Sequence, residues 1–143
     1  MRFKLFLILA LLAFGAGAQQ LPVTELSVGM QLIHAEVADS TGSRMQGLMY
    51  RESLPTNAGM VFVFDETAQH CMWMKNTLVP LSVAFIDEAG AITNIADMQP
   101  RSEESHCATR PARYALEMNK GWFAQRGIKP GAKLGGLDKL SPR

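Results

Sequence analysis

Much of the chain consists of short runs of strand-forming residues that are separated by turn residues. Within residues 30–38, the apolar residues Ile33, Ala35 and Val37 alternate with polar ones. A period of two places alternate side chains on opposite faces, so this segment is a predicted strand. Residues 60–64 are uninterruptedly apolar and β-favouring, which predicts a buried strand. These runs restrict the chain to a β-rich fold.

Turn chemistry extends this pattern. Residues 81–87 and 91–98 flank Glu88-Ala89-Gly90, and this arrangement predicts a β-hairpin with a tight connection. Further strands are predicted at 23–28, 70–75 and 113–118, with a last short one ending near Leu134.

Two short helical segments are also predicted. Ser43 is the predicted N-cap of a helix that contains Met45, Leu48 and Met49, and residues 121–127 form a helical turn. Residues 99–112 are polar and without a period, which predicts a long surface loop. The chain is therefore expected to be mainly β, a small antiparallel β-sandwich or a partly open barrel with two short helices.

The N-terminus has the composition of a secretory signal. Arg2 and Lys4 precede an apolar run, and the small residues 15–18 follow it. The run of about ten apolar residues is too short to span a membrane, which needs roughly 20. We therefore expect residues 1–18 to be a cleavable signal peptide and residues 19–143 to be a single β-rich domain, periplasmic or secreted, without a membrane anchor after cleavage.

The chain contains two cysteines, Cys71 and Cys107. In an exported protein thiols pair readily, so we expect a disulfide between them. The formal charge of the whole chain is +1, and it becomes about −1 when Arg2 and Lys4 leave with the signal peptide. A nearly neutral surface argues against nucleic acid as a partner.

Several residue strings in the chain resemble a known family. They are Arg44-x-x-Gly47-Leu48-Met49-x-Arg51, Gly59-Met60-x-Phe62-x-Phe64, Trp73-Met74-Lys75-Asn76-Thr77-x-x-Pro80-Leu81, Tyr114-Ala115-Leu116-Glu117-x-Asn119-x-Gly121 and Gly127-Ile128. This pattern resembles the domain-of-unknown-function 192 family, over about residues 24–137. The resemblance implies a compact, jelly-roll-like antiparallel β architecture and no activity, cofactor or catalytic residue. Many members have Asp after the Pro-Leu pair, where this chain has Ser82.

The strings that carry the resemblance contain charged and amide residues that lie far apart in the sequence: Arg44, Arg51, Lys75, Asn76, Glu117 and Asn119. If they converge beside Trp73 and Tyr114, they form a cleft with an aromatic wall, suited to a sugar or a carboxylate ligand. We therefore predict a ligand-binding cleft of Arg44, Trp73, Lys75, Asn76 and Glu117. The alternative is that Arg and Glu form a structural ion pair that closes a loop.

A second hypothesis is a copper site. On a strand, His70, Met72 and Met74 share one face, and thioethers with an imidazole suit Cu(I). The alternative is that both methionines fill the core, as this flexible side chain often does. The repeated His-Cys pairs, at 70–71 and 106–107, also raise the possibility of a zinc site, but neighbouring strand residues face apart, so the disulfide is preferred.

An enzymatic role has little support in the sequence. It contains no Gly-x-Ser-x-Gly, His-Glu-x-x-His or Cys-x-x-Cys motif and no phosphate-binding loop. We expect no catalytic residues and predict a binding module for a small molecule. The alternatives are a copper-binding protein and a protein-interaction module with an exposed apolar patch.

Overall fold

The computed structural model describes residues 20–143, so the predicted signal peptide at 1–18 lies outside the described residues. Within the described part the chain is mainly β, with two short α-helices, as predicted. The strands are β1 (Val23–Val28), β2 (Gln31–Ala38), β3 (Ala58–Ala68), β4 (Cys71–Met72), β5 (Leu81–Ile86), β6 (Ile92–Met98), β7 (His106–Cys107), β8 (Ala112–Asn119) and β9 (Leu134–Gly135). The helices are α1 (Thr41–Gln46) and α2 (Trp122–Gln125), and a 3₁₀ turn covers Leu137–Lys139.

Seven strands form one curled, half-barrel sheet in the order β6-β5-β8-β3-β2-β1-β9. The predicted hairpin is confirmed as the antiparallel pair β5–β6. The pairing of β2 with β3 is parallel, unlike the antiparallel arrangement that we predicted throughout. A parallel pair requires a long crossover connection, and the segment that contains α1 supplies it.

Both faces of this sheet are covered by apolar side chains. On β3, Val61 and Val63 join a cluster with Trp122 and Phe123 of α2, and we call this side the α2 face. Met60, Phe62 and Phe64 join a second cluster with Leu48, just beyond α1, and we call that side the α1 face. Because β3 is buried on both sides from Gly59 to Phe64, this part of its sequence is continuously apolar rather than alternating.

Helix α1 begins one turn earlier than predicted. Its N-cap is Ser40 rather than Ser43, and the two serines form a reciprocal capping box. The helix ends at Gln46, because Gly47 takes a left-handed φ of 48°. A β-carbon at Gly47 would lie 3.4 Å from the Phe62 ring, which is an ordinary contact, so the positive φ rather than a lack of space favours glycine at this position.

The predicted strand at 70–75 is reduced to the two residues of β4, which pair with β7 inside the predicted loop at 99–112. Cys71 lies directly opposite Cys107, and the two form the expected disulfide. Such a short ribbon has few hydrogen bonds of its own, so the covalent link is a main constraint on its position.

Removing the disulfide should destabilise the protein. The bridge joins residues 36 apart in sequence, and closing a loop of that length stabilises the fold by roughly 4 kcal/mol on the chain-entropy model. We expect the Cys71→Ser, Cys107→Ser double variant to lose about this much free energy of unfolding, as measured by urea denaturation. Reductant should lower the stability of the wild type to the same level and leave the variant unchanged. Equal midpoints for wild type and variant would contradict the prediction.

Gly59 permits the close approach of β3 and β8. A β-carbon there would overlap the Met118 sulfur and the Glu117 carbonyl oxygen. We expect Gly59→Ala to lower the free energy of unfolding by about 1–3 kcal/mol through overpacking. The control is Gly42→Ala in α1, where a β-carbon meets open space, and it should be neutral or stabilising by up to about 1 kcal/mol. Thermal denaturation of both variants measures the difference, and equal effects would refute this role for Gly59.

Candidate functional site

A cavity of about 260 Å³ lies over the α1 face of the sheet. Three parts of the chain enclose it: β3 and β8 of the sheet, the segment from α1 to residue 49, and β4 with the turn that follows it. Its lining residues are Thr41, Arg44, Met45, Gly47, Leu48, Met49, Phe62, Phe64, Cys71, Met72, Trp73, Thr77 and Glu117. Most of these side chains are apolar, so the few polar groups decide what the cavity can recognise.

Glu117 is the buried carboxyl group of this cavity. It lies on β8 between Met60 of β3 and Val83 of β5, both of which are fully buried. The residue is only 4% exposed. A carboxyl group between two apolar neighbours is poorly solvated, and the cavity is the space in front of it.

Burial raises the pKa of Glu117 to about 8, and desolvation is its only cause. No neighbouring charge or hydrogen bond opposes that effect within the described part of the chain. At neutral pH the side chain is therefore mostly a protonated acid, which can donate one hydrogen bond and accept others. Buried carboxyl groups of this kind are frequent at functional sites.

Arg44 also lines the cavity, but its guanidinium is already engaged. It donates to the Val63 carbonyl oxygen at 2.9 Å and to the Asp65 carboxylate at 3.0 Å. These contacts hold α1 against the middle of β3. Arg44 therefore fixes one wall of the cavity. Its positive charge is compensated by Asp65.

Trp73 lies at the edge of the cavity and is 47% exposed. Lys75 is outside the lining: its ammonium group lies 5.2 Å from the centre of the Trp73 ring and 3.9 Å from the Glu103 carboxylate. Asn76 is also outside the lining, in the turn below, and its carbonyl oxygen accepts from the Tyr50 amide at 2.9 Å. Of the five residues of the predicted cleft, Arg44, Trp73 and Glu117 line this cavity. Lys75 and Asn76 lie in the neighbouring turn, outside the lining.

This turn has unusual backbone geometry. Asn76 and Tyr50, joined by the hydrogen bond above, both have positive φ values, 52° and 64°. Arg101 has a φ of 63°, and its amide donates to the Thr77 carbonyl oxygen at 2.9 Å. Non-glycine residues seldom adopt such angles, and they cluster at binding and catalytic sites. The three non-glycine residues with positive φ among residues 20–143 are thus in and around the turn beside the cavity.

The residues of the copper hypothesis have three different environments. The His70 ring stacks on Phe64 at 3.7 Å, and its Nε2 is 2.8 Å from the Glu66 carbonyl oxygen. Met72 lines the cavity, whereas Met74 is fully buried in the apolar cluster. Since β4 ends at Met72, the shared strand face that we assumed for all three residues does not form.

The remaining polar residues of the family-like strings have structural contacts. Arg51 forms a bidentate ion pair with Glu36, at 2.8 and 2.9 Å, and this interaction raises the pKa of Arg51. The Asn119 amide donates to the carbonyl oxygen of Leu54 at 2.8 Å. Tyr114 packs on the α2 face, on the other side of the sheet from Glu117. These residues anchor loops and core, and they do not line the cavity.

Several lining residues were not proposed from the sequence, chiefly Phe62, Phe64, Met45 and Leu48. Strand parity was the available signal for the two phenylalanines, because alternate residues of β3 share the face of Met60, opposite Glu117 in register. Nothing local in the sequence indicates that α1 lies over that face.

A second cavity, of about 270 Å³, contains the Ser82 position where many members of the resembling family have Asp. The Ser82 hydroxyl donates to the Asp97 carboxylate at 2.6 Å and accepts from the Gly121 amide at 2.9 Å. Asp97 lies opposite Ser82 on β6, so a carboxylate is still present here. Because these polar groups satisfy one another, this cavity is a weaker candidate.

Among residues 20–143, no group of three or more His, Cys, Asp or Glu side chains is arranged to hold a metal ion. In the same part of the chain, no helix is both long and apolar enough to cross a membrane.

Comparisons with known proteins support the resemblance inferred from the sequence. A family model named DUF192 and described as "Uncharacterized ACR" matches residues 24–136. A solved structure from Sinorhizobium meliloti 1021, described as a "putative transcription regulator", is 34% identical with a TM-score of 0.81, over 85% of this chain and 98% of that one. A protein of unknown function from Novosphingobium aromaticivorans DSM 12444 is 31% identical with a TM-score of 0.78, over 81% and 86%. A search of curated proteins finds no match.

The burial of Glu117 should make the stability of the protein pH-dependent. Its pKa in the fold, about 8, is above the ordinary value of 4.5. The loss of folding stability caused by burying the ionised carboxylate is therefore absent below pH 4.5. It grows between pH 4.5 and 8, where Glu117 ionises in the unfolded chain but not in the fold, and it levels off above pH 8. We expect Glu117→Gln to remove this dependence and to exceed the wild type in stability at pH 8.5 by up to about 5 kcal/mol. Urea denaturation from pH 5 to 9 measures it.

The control for this experiment is Glu104→Gln, which removes an exposed carboxylate of the same charge. Its stability should follow the wild type across the whole pH range. If Glu117→Gln and the wild type have parallel pH profiles, Glu117 does not carry the buried proton.

Proposed function

Because this chain belongs to the DUF192 family, whose description assigns no activity, we propose from its own geometry that it binds a small molecule in the cavity over the α1 face. The cavity volume of about 260 Å³ is near the lower end of small-molecule sites. Apolar walls with a few polar groups are also typical of such sites. The proposed ligand is therefore compact and largely apolar.

The observation that carries this proposal is the Glu117 carboxyl group, buried without a protein hydrogen-bond partner among residues 20–143 and facing the cavity. No fully enclosed side-chain oxygen or nitrogen among residues 20–143 lacks a hydrogen-bond partner, so the Glu117 oxygens are open to the cavity, and the cost of their partial desolvation appears as the raised pKa. A core position on β8 between Met60 and Val83 would be more stable with an apolar side chain. A ligand that hydrogen-bonds to Glu117 gives this residue a reason to be there.

The geometry changes our expectation about ligand chemistry. A carboxylate ligand would need a free bidentate donor, whereas the guanidinium of Arg44 is engaged with Asp65 and Val63. A sugar would need many polar partners, and within residues 20–143 the lining residues with polar side chains are Thr41, Arg44, Thr77 and Glu117. We therefore favour an apolar molecule with a single polar group over the sugar or carboxylate suggested by the sequence.

We also propose that the protein works in the periplasm or outside the cell. The Cys71–Cys107 disulfide supports this, because such bonds persist in oxidising compartments. The composition of residues 1–18 supports it as well. An exported chain of nearly neutral charge is poorly suited to bind nucleic acid, so the description of the Sinorhizobium protein is not extended to this one.

One rival function rests on a specific observation. Met45, Tyr50 and Trp73 are exposed apolar residues, two of which line the cavity, and such a rim can dock a partner protein. In a docking module, the partner would cover these exposed apolar residues and would not contact Glu117. Variants of the exposed residues and of Glu117 therefore separate the two functions.

A ligand panel tests the proposal. Thermal shift of the mature protein against small aromatic and aliphatic amines, alcohols, amides and acids should give at least one hit, because a ligand of the native state raises the melting temperature. Trp73→Ala should weaken that hit about tenfold by removing aromatic contact at the rim. Tyr50→Ala is the matched control, an exposed aromatic residue outside the lining, and its affinity should be unchanged.

A second pair of variants checks the location. Met45→Ala removes a lining side chain that is 72% exposed, whereas Met30→Ala removes one that is 99% exposed and outside the lining. Only the first should weaken binding. A flat panel, or hits that respond equally to all four variants, would overturn the assignment of this cavity.

A further inference from the structure

Glu117 is the only carboxyl side chain that lines the α1-face cavity, as far as residues 20–143 are concerned. No hydrogen bond within this part of the chain contributes to its raised pKa, and its oxygen atoms are open to the cavity rather than fully enclosed. Once ionised, a carboxylate has about four acceptor sites and no donor. A ligand group that donates several hydrogen bonds and carries positive charge matches this ionised form.

The protein does not supply that charge itself. Arg44 is the cation of the lining, and it is paired with Asp65 at 3.0 Å. Lys75, near the rim, is 3.9 Å from Glu103. Each of these two cations thus has a carboxylate partner other than Glu117. The cavity is thus an apolar space that contains one uncompensated acid, the reverse of a site for an anion.

The walls favour a cation as well. Phe62, Phe64 and Trp73 line the cavity together with the thioethers of Met45 and Met72, and His70 covers one face of the Phe64 ring. Aromatic faces attract ammonium groups through their quadrupoles. Lys75 shows this attraction within the molecule, since its ammonium group lies 5.2 Å from the centre of the Trp73 ring.

On these observations we propose that the ligand of the α1-face cavity is a small amphipathic amine, whose ammonium group pairs with Glu117 while its apolar part contacts Phe62, Phe64 and Trp73. This inference rests on the proposed function and adds the ligand class to it. A neutral ligand such as an alcohol uses at most part of the hydrogen-bonding capacity of Glu117. An ammonium group donates to both oxygens and is charge-assisted.

Binding of an amine to Glu117 should release a proton and should make the affinity depend on pH. The free site holds a protonated Glu117 at neutral pH, since its pKa is raised to about 8 by burial. Binding of the ammonium form requires the ionised carboxylate, so one proton leaves Glu117 for the solvent as the ion pair forms. Below pH 8 the affinity should rise about tenfold for each pH unit, and above it the affinity should level off while the amine stays protonated.

The test compares three probes that share one apolar part: 2-phenylethylamine, 2-phenylethanol and 3-phenylpropionate. Isothermal titration of the mature, oxidised protein at pH 6, 7 and 8 should show tightest binding for the amine, with affinity increasing with pH. Titrations in buffers of different ionisation enthalpy should show release of about one proton per amine bound at pH 6. The alcohol should bind more weakly, with affinity that is flat between pH 6 and 7.

Glu117→Gln keeps the shape of the side chain and removes its charge. It should weaken the amine at least a hundredfold at pH 8 and change the alcohol less than tenfold. Glu104→Gln, at an exposed position, should leave all three affinities unchanged. Retained binding of the alcohol by Glu117→Gln shows that the variant is folded with its cavity intact.

The remaining outcomes separate the two proposals. If the alcohol or the carboxylate binds better than the amine, or if amine affinity falls between pH 6 and 8, the amine inference is wrong while small-molecule binding stands. If amine binding survives Glu117→Gln, the pairing with Glu117 is wrong. If none of the three probes binds and the wider ligand panel is also flat, both proposals fail.

Discussion

The position of β8 between β3 and β5 is the constraint on which the rest of this structure depends. Its residues are paired on both sides, so each side chain is committed to one of two covered faces. Leu116 and Met118 fill the α2 face, and parity then directs Glu117 to the α1 face. A slip of one residue would exchange these environments. The acid of the candidate site is therefore fixed by the core, and its exposure to the cavity follows from strand register.

The cavity exists because the α1 face is covered by short elements rather than by a second large sheet. Helix α1 is stabilised by its capping box and is held on the sheet by Arg44, which donates to the Val63 carbonyl oxygen in the middle of β3. The β4–β7 ribbon is held by the Cys71–Cys107 disulfide. Elements of two to six residues cannot fill all the space over the sheet. The gap between them, above Phe62 and Glu117, is where polar and apolar groups are available to a ligand.

Many elements of the fold were predictable because their signals are local. Alternation identified β1 and β2, a strand was also predicted at the position of β8, and the turn at Glu88-Ala89-Gly90 identified the β5–β6 hairpin. The errors have physical causes. The parallel pairing of β2 with β3 depends on a crossover that no local period reveals. The short β4 was extended to residue 75 because its apolar residues resemble a strand, although Met74 is buried in the α1-face cluster.

The sequence by itself determined which residues favour strands and which two sulfur atoms were available to form the disulfide, and it led us to predict one cleft of Arg44, Trp73, Lys75, Asn76 and Glu117. The tertiary structure decided that Arg44, Trp73 and Glu117 of this group line one cavity, that Arg44 is engaged with Asp65, and that Glu117 is buried without a charge partner among residues 20–143. Periodicity reports only which side of a strand a residue faces. What lies on that side depends on strands and loops that are distant in sequence, and the pKa of Glu117 depends on those neighbours.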